Sequence, residues 1–205
     1  MRTWYFPVVS VLLLVLSVIA FSDNLFTDVG QPSNSDPKFI VHGLFCLAWF
    51  TTFVAQSWLI RRRSVAVHKR LGMWALAIGA GVALSTFYIF VVTYPEWDQL
   101  AVFARPNRFF MVSYAVLLVL AYQQRANAPT HKRVMYLATL YMLGPVLDRA
   151  ASHFSATPLV FTPLVWNALF VSLFVYDRVS LTAVHRVTSL GFAWFYVVWA
   201  IAILT

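Results

Sequence analysis

The hairpin that decides the fold runs from residue 39 to residue 92. It consists of the apolar run FIVHGLFCLAWFTTFVAQSWLI (39–60), the basic stretch RRRSVAVHKR (61–70) and the apolar run LGMWALAIGAGVALSTFYIFVV (71–92). A helix needs about 20 mostly apolar residues to cross a bilayer, and each apolar run has that length. Because backbone amides in lipid must be hydrogen-bonded within their own segment, the stretch predicts two spanning helices joined by a short basic loop.

The same alternation of apolar and polar stretches continues along the whole chain. It predicts an all-α membrane protein, one transmembrane domain over residues 1–205, built as an N-terminal helix followed by three helical hairpins. The first segment is also compatible with a signal peptide, since Arg2 precedes an apolar core that ends near Ala20 and Ser22. The seven predicted spanning segments are 4–22, 39–60, 71–92, 108–122, 134–153, 159–176 and 187–204.

The charges between these segments predict a topology. Six of the seven acids fall in one set of alternate connections, with Asp177 as the exception. Because positive charge stays on the cytoplasmic side during insertion, the chain is predicted to have its N-terminus inside and its C-terminus outside. Aromatic residues near the predicted interfaces are Trp4, Tyr94, Trp97, Tyr122 and Tyr176. The other set of connections holds 11 of the 15 basic residues: Arg2, Arg61, Arg62, Arg63, Lys69, Arg70, Arg125, Lys132, Arg133, Arg178 and Arg186.

Composition supports lipid as the surrounding medium. The chain is 61% hydrophobic and 11% charged, whereas a soluble domain has about 25% charged residues. The net charge of +8 resides in short loops, so it indicates topology and membrane lipids as partners, not nucleic acid. Membrane-protein partners and a second copy of the chain stay open. The single cysteine, Cys46, forms no internal disulfide.

The three predicted inner loops resemble one another. Each places a histidine followed by a basic residue at the start of the next helix, at His68, His131 and His185. This recurrence favours an internal repeat, although any short inner loop accumulates Arg and Lys. We expect these histidines to begin helices or to contact anionic headgroups.

A polar stripe marks the second spanning segment. His42, Cys46, Trp49, Phe53 and Gln56 recur at spacings of four and three, so they share one face of a helix. Polar groups within a membrane face the protein interior and often mark function. His42 is therefore a candidate ligand of haem or a metal, or a hydrogen-bond donor to a quinone. The alternative is a structural hydrogen bond to a neighbouring helix.

The strongest predicted site lies near the outer face. His42, Arg108, Asp148, Arg149 and His153 fall at similar predicted depth, and Arg149 and His153 share a face at i,i+4. Such groups predict a pocket for a quinone, a lipid or an anionic metabolite, with arginine anchoring negative oxygens. The alternative is a salt-bridge network that fixes helix packing. Asn167, near the middle of the sixth segment, needs a partner helix or a ligand.

The stretch VHGLFCLAWFTTFVAQSWLIRRRSVAVHKRLG (41–72) resembles a hairpin of uncharacterised bacterial multi-spanning membrane proteins, marked by His-Gly, a later glutamine and His-basic-x-Leu-Gly. Residues 131–144 are similar to a second such hairpin. The resemblance implies a bacterial inner-membrane protein and brings no activity. The His-Gly helix start also has a faint likeness to haem-binding transmembrane cytochromes b, which implies haem b or a metal ion held by His42 with His153 as partner.

Three functions follow from these patterns. The first is a membrane protein with an outer-leaflet ligand pocket, to which Gln56 and Asn167 are added as candidate lining residues. The second is a b-type haem or metal protein using His42 and His153. The third is a structural or accessory subunit of a larger membrane complex. No HExxH, Walker A, GxGxxG or GxSxG motif is present, so the sequence assigns no reaction.

Overall fold

The computed structural model describes residues 4–93 and 96–205, and regular structure in these residues is helical, without strands. Arg2 and Tyr94 lie outside the described residues. Six of the seven predicted spanning segments each coincide with one helix, and the fifth is divided between two. The α-helices are α1 (Tyr5–Ala20), α2 (Pro37–Arg61), α3 (Val65–Thr93), α4 (Pro106–Gln123), α5 (Ala128–Tyr141), α6 (Gly144–His153), α7 (Pro158–Leu181) and α8 (Arg186–Leu204).

Four of the described helices, α2, α3, α7 and α8, are long and apolar enough to cross a membrane. This finding suggests a membrane-embedded protein. α1 is shorter, with 16 residues, and α5 and α6 have 14 and 10 residues. The count of seven spans and the orientation of the chain therefore stay predictions.

The fifth predicted segment, 134–153, is not one helix. It is divided into α5, which ends at Tyr141, and α6, which begins at Gly144. Pro145 explains the division, because proline has no N–H to donate to the carbonyl of Tyr141 and its ring clashes with the preceding turn. The predicted membrane depths of Asp148, Arg149 and His153 assume one continuous helix from residue 134. Because the helix ends at residue 141, those depths do not hold.

Residues at the helix starts explain where several helices begin. Pro37 and Pro106 occupy the first positions of α2 and α4, where a missing N–H costs nothing. Asp36 caps α2 by accepting a hydrogen bond from the amide of Lys38 at 3.1 Å. The Lys38 side chain also pairs with this carboxylate and lowers the pKa of Asp36 below its usual value.

The described helices group into two compact units. The first contains residues up to Thr86 together with Val146–Thr162, and the second contains Phe87–Pro145 with Pro163–Thr205. α1 packs against α2 in the first unit, and α4, α5 and α8 pack against one another in the second. The prediction of a single transmembrane domain stays a prediction.

Aromatic rings form the centre of the second unit. Phe110 of α4 stacks on Phe195 of α8 with ring centroids 5.1 Å apart, and Trp166 of α7 meets Phe195 edge-on at 4.7 Å. The indole N–H of Trp166 donates to the carbonyl of Leu140 at 2.9 Å. That carbonyl lies in the last turn of α5 and also accepts from the backbone amide of Leu143 at 3.1 Å. Trp166 therefore packs the core and adds a side-chain donor at the end of the interrupted helix.

Large apolar side chains remain exposed along several helices. Trp74 and Leu84 on α3 are each 70% exposed, and Leu159 on α7 is 74% exposed. Water would be an unfavourable neighbour for so many rings and aliphatic chains, whereas acyl chains are not. These surfaces are consistent with helices that contact lipid.

Candidate functional sites

The predicted polar stripe on α2 faces the interior of the first unit. Trp49 and Phe53 are buried, and His42, Cys46 and Gln56 are half-buried. Residues on other faces of the helix, such as Leu44, are exposed. The three- and four-residue spacing thus corresponds to the packed side of α2.

His42 is hydrogen-bonded across the first hairpin. Its Nδ1 lies 3.0 Å from the hydroxyl of Ser85 on α3, and its Nε2 lies 3.5 Å from the sulfur of Cys46. The Ser85 hydroxyl is also positioned to donate to the carbonyl of Val82 at 3.1 Å. One hydroxyl proton cannot serve both acceptors, so the bond to Val82 requires Nδ1 of His42 to donate. In that tautomer Nε2 keeps a lone pair and faces the thiol.

Gln56 belongs to the opposite end of α2. It follows His42 by 14 residues, which corresponds to about 21 Å along a helix. With its amide oriented to satisfy its neighbours, the nitrogen donates to the carbonyl of His68 at 3.2 Å and the oxygen accepts from the amide of Gly72 at 3.1 Å. The structure does not bring Gln56 and His42 together.

Arg149 and His153 meet the chain that follows α1. The Arg149 Nη1 donates to the side-chain oxygen of Asn24 at 2.9 Å and lies 3.9 Å from the Asp23 carboxylate. The Nε2 of His153 lies 4.0 Å from the other oxygen of Asp23. The Arg149 guanidinium also stacks over the ring of Phe21, with 4.7 Å to the ring centroid. We call Asp23, Asn24, Arg149 and His153 the acid-end cluster.

Asp148 turns to a different neighbour. It accepts a hydrogen bond of 2.7 Å from the hydroxyl of Thr162 on α7. The angle of about 100° between successive helical residues separates Asp148 from the face that Arg149 and His153 share. Asp148, Arg149 and His153 are therefore close along α6 but use two sets of partners, both within the first unit.

Arg108 and Asn167 belong to the second unit. Arg108 donates to the carbonyl of Phe90 at 3.2 Å and stacks over the ring of that residue. Asn167 donates to the carbonyl of Pro163 at 2.8 Å and accepts from the hydroxyl of Tyr196 on α8 at 2.6 Å. The partner that the sequence analysis requires for Asn167 is thus supplied by a neighbouring helix.

A buried ion pair that the sequence analysis does not predict lies in the second unit. The side chains of Arg133 on α5 and Asp177 on α7 are both completely buried. The Nε and Nη2 of Arg133 both donate to Oδ1 of Asp177. The Nη1 of Arg133 donates to the carbonyl of Pro129 at 2.6 Å. The sequence signal for this pair is Asp177, the one acid among the basic connections.

The second oxygen of Asp177 holds the start of α8. It accepts from the backbone amide of His185 at 3.0 Å and from the hydroxyl of Thr188 at 2.6 Å. The Nδ1 of His185 in turn accepts from the amide of Val187 at 3.2 Å and caps the helix. Burial lowers the pKa of His185, and the nearby cations of Arg133 and Lys132 lower it further, against the opposing effect of Asp177. The imidazole of His185 is thereby favoured as a neutral acceptor.

Each recurrent histidine takes part in a hydrogen bond between the two helices of its hairpin. The carbonyl of His68 accepts from Gln56, the Nδ1 of His131 contacts the carbonyl of Ala121 at 2.9 Å, and the amide of His185 donates to Asp177. His68 and His131 lie inside the first turns of α3 and α5, and His185 is the N-cap of α8. All three therefore lie at helix starts. This agrees with the expectation that they begin helices, and the alternative contact with anionic headgroups stays a prediction.

Within residues 4–93 and 96–205, no group of three or more His, Cys, Asp or Glu side chains is arranged to hold a metal ion. Residues that the sequence analysis missed at these sites are Asp23, Asn24, Ser85 and Thr162. They are short polar side chains at helix ends or within apolar runs, and no local spacing links them to their partners. Their roles depend on contacts between helices distant in sequence.

Comparisons of the chain with protein-family models, with curated proteins and with solved structures found no match. The resemblance to bacterial multi-spanning proteins and to cytochromes b therefore stays a prediction.

Proposed function

We propose that this chain is an integral protein of the bacterial inner membrane that binds a small ligand carrying negative oxygens at the acid-end cluster. The observation that supports the proposal is the meeting of Arg149, His153 and Asp23 at a half-exposed position, where the Arg149 side chain is 44% exposed. The hydrogen bond to Asn24 uses one nitrogen of a guanidinium that has five N–H donors. The remaining donors suit a carboxylate or a phosphate.

Asp23 gives the cluster a means of selecting its ligand. Its carboxylate lies close to the Arg149 guanidinium and the His153 ring, so an incoming anion competes with it for Arg149. A ligand that also carries a hydroxyl or ketone group is compatible with Asn24 and with His153 in either protonation state. Anionic lipids and anionic metabolites carry such oxygens, a quinone offers neutral carbonyl acceptors to the same donors, and no reaction is assigned.

Binding to purified protein tests the proposal. We would titrate the detergent-solubilised chain with succinate, inorganic phosphate, decyl-ubiquinone and phosphatidylglycerol, and follow thermal stabilisation. Arg149→Gln and His153→Gln are expected to weaken the productive ligand at least tenfold. Arg178→Gln, which removes an exposed cation elsewhere, is expected to leave binding unchanged. If every probe binds the variants and the wild type alike, the cluster is a packing network.

The geometry at His42 favours haem or metal ligation as a second candidate. A histidine that ligates a metal donates its other ring nitrogen to a neighbouring acceptor, and the Ser85 hydroxyl is placed to accept from Nδ1. Nε2 would be the ligating atom, with Cys46 beside it at 3.5 Å. Visible spectra of the purified protein with and without dithionite, together with metal analysis, test this candidate. A Soret band lost in His42→Ala supports haem, and a colourless, metal-free protein eliminates it.

A third candidate is a structural subunit of a larger membrane complex, in which polar groups such as Asn167 and Asp177 serve helix packing instead of a ligand. Groups satisfied within the chain serve helix packing without any ligand. Co-purification of the tagged chain with larger partners in a fixed ratio supports this candidate. Purification as a single species that binds ligand through Arg149 argues against it.

A further inference from the structure

An open groove runs along the basic end of the first hairpin, away from the acid-end cluster. Its volume is about 410 Å³, and it is lined by Val54, Ala55, Trp58, Leu59, Arg62 and Leu71. We call it the basic-end groove. Five of its lining residues belong to α2 or to the residue that caps it, and Leu71 belongs to α3. All of them belong to the first unit.

The lining of the groove changes character along the helix axis. Val54, Ala55, Trp58 and Leu59 recur at one-turn spacing and supply mainly apolar surface. Arg62 follows one turn later, at the C-cap of α2. From Val54 to Arg62 the groove extends about 12 Å along the helix at 1.5 Å per residue. It is therefore apolar along its length and cationic at one end.

One wall of the groove is held by stacked side chains. Trp58 meets the ring of Trp4 edge-on at 5.7 Å, and the guanidinium of Arg61 lies 3.5 Å from the Trp4 ring centroid. Arg61 is thus engaged with an aromatic face, whereas Arg62 is exposed. The neighbouring Arg63 adopts a left-handed conformation with φ 61°, which turns the chain toward α3. Of the three consecutive arginines, Arg62 is the one that lines the groove.

The charge around the groove has one sign. Residues 61–72 contain Arg61, Arg62, Arg63, Lys69 and Arg70 and no acid. An occupant of the groove therefore needs an apolar part that fits along the helix. It also needs a negatively charged group at the end where the basic residues lie. A phospholipid with an anionic headgroup has this arrangement, since its acyl chain is apolar and its phosphate is negative.

We propose that the basic-end groove binds an anionic phospholipid, with an acyl chain along Val54, Ala55 and Leu59 and the headgroup phosphate at Arg62. The groove is open along its length, which suits a chain that enters sideways from the bilayer. Trp58 supplies an amphipathic ring at the level where the chain meets the headgroup, a position that tryptophan favours. Free phosphate satisfies Arg62 alone, whereas a zwitterionic lipid fills the apolar walls with a headgroup whose phosphate charge is balanced by its own cation, which the surrounding basic residues repel.

Native mass spectrometry of the delipidated full chain tests the proposal, with phosphatidylglycerol and phosphatidylcholine as the two probes. The wild type is expected to bind one phosphatidylglycerol at least tenfold more tightly than phosphatidylcholine. Arg62→Gln removes this preference, whereas Arg178→Gln, an equal loss of charge at another exposed site, retains it. Ala55→Trp fills the groove without changing charge and weakens both lipids. Ala80→Trp, on an exposed part of α3, is its matched control.

Three results would overturn the proposal. They are equal affinity of the wild type for both lipids, equal losses in Arg62→Gln and Arg178→Gln, and unchanged binding in Ala55→Trp. Competition by millimolar inorganic phosphate with no effect of Ala55→Trp would identify a free-anion site in place of a lipid site. Thermal unfolding of each variant checks that it is folded, and Ala55→Phe serves if the tryptophan variant is not.

Discussion

The carboxylate of Asp177 is paired with four hydrogen-bond donors. It accepts from two nitrogens of Arg133, from the amide of His185 and from the hydroxyl of Thr188. A carboxylate with four donors and a buried guanidinium beside it is ionised, because only the charged form accepts at every position. The pair joins the starts of α5 and α8 to the last turn of α7.

Removing one partner of this pair is expected to destabilise the protein strongly. Asp177→Ala leaves the Arg133 charge buried without a counterion and is expected to lower the free energy of unfolding by about 3–5 kcal/mol. The double variant Arg133→Met, Asp177→Leu removes both charges and leaves only the His185 amide and the Thr188 hydroxyl without their acceptor, so it is expected to lose less stability than Asp177→Ala. Thermal unfolding in detergent measures both. The exposed Asp28→Ala serves as control, and an equal loss in single and double variants would contradict the account.

His185 gives the start of α8 a dependence on pH. Its folded-state pKa is lowered, so its contribution to stability is complete above the ordinary histidine pKa of about 6.5 and declines as pH falls from that value through the lower folded-state pKa. Protonation removes the acceptor that caps Val187, a loss of about 0.5–2 kcal/mol. His185→Asn keeps an acceptor that does not titrate. Between pH 8 and pH 5 the wild type should lose more thermal stability than His185→Asn, and parallel losses would refute this role.

At the scale of residues, the sequence identifies candidate side chains better than it identifies the residues that they contact. His42, Arg149 and His153 are recognisable because ionisable groups are rare in apolar runs. Their partners Ser85 and Asp23 are not, because 43 and 126 residues separate them from His42 and Arg149 respectively. The Arg133–Asp177 pair is hidden for another reason, since topology alone accounts for a basic residue in an inner loop.

At the scale of helices, the predicted segments coincide with observed helices because hydropathy and turn residues agree. The departure at residues 142–143 has a local cause, since Gly144-Pro145 interrupts an otherwise apolar run. That dipeptide is visible in the sequence, and its consequence is the separation of α5 from α6. Hydropathy alone does not detect it, because glycine and proline are common within membrane helices.

Close approach of α5 and α8 depends on Gly191. A Cβ at this position would lie 2.4 Å from a methyl carbon of Leu137, which is itself buried, and the carbonyl of Gly191 accepts from Tyr141 at 2.6 Å. Gly191→Ala is therefore expected to lower the free energy of unfolding by about 1–3 kcal/mol. Chemical denaturation in detergent measures the change.

Two further variants separate crowding from helix propensity. Gly43 on α2 has open space around its Cβ position, so Gly43→Ala is expected to stabilise by up to about 1 kcal/mol. Leu137→Ala combined with Gly191→Ala should cost less than the sum of the two single changes, because the smaller side chain makes room. Strict additivity would show that Leu137 and Gly191 do not compete for space.

At the scale of the whole molecule, contacts within each unit join segments that the charge pattern assigns to the same side. In the first unit, Asp23 meets Arg149 and His153, all in predicted outer connections. In the second unit, the indole of Trp97 donates to the carbonyl of Thr205 at 3.0 Å, again between predicted outer residues. Arg133, Asp177 and His185, which are bonded to one another, all belong to predicted inner connections. The sequence thus predicts which ends of helices group together.

The sequence predicts less about the ligand than about this arrangement. Charge bias and hydropathy are average properties of whole segments, so predictions based on them tolerate exceptions at single residues. A ligand pocket depends on the relative positions of a few atoms, and those positions are set by contacts such as Thr162 with Asp148 that no spacing rule encodes. The predicted orientation follows from the charge pattern and the predicted number of spans from the apolar runs, and both need a direct measurement.

The most direct test of the account is the accessibility of single cysteines in intact cells. In a Cys46→Ser background, Gln31→Cys, Asp98→Cys and Ser155→Cys probe the connections rich in acids, and Arg63→Cys, Arg125→Cys and Thr182→Cys probe the basic loops. An impermeant maleimide is predicted to label the first set in intact cells and the second set only after lysis. Labelling of both sets in intact cells, or of the basic set alone, would contradict a membrane protein whose basic ends face the cytoplasm.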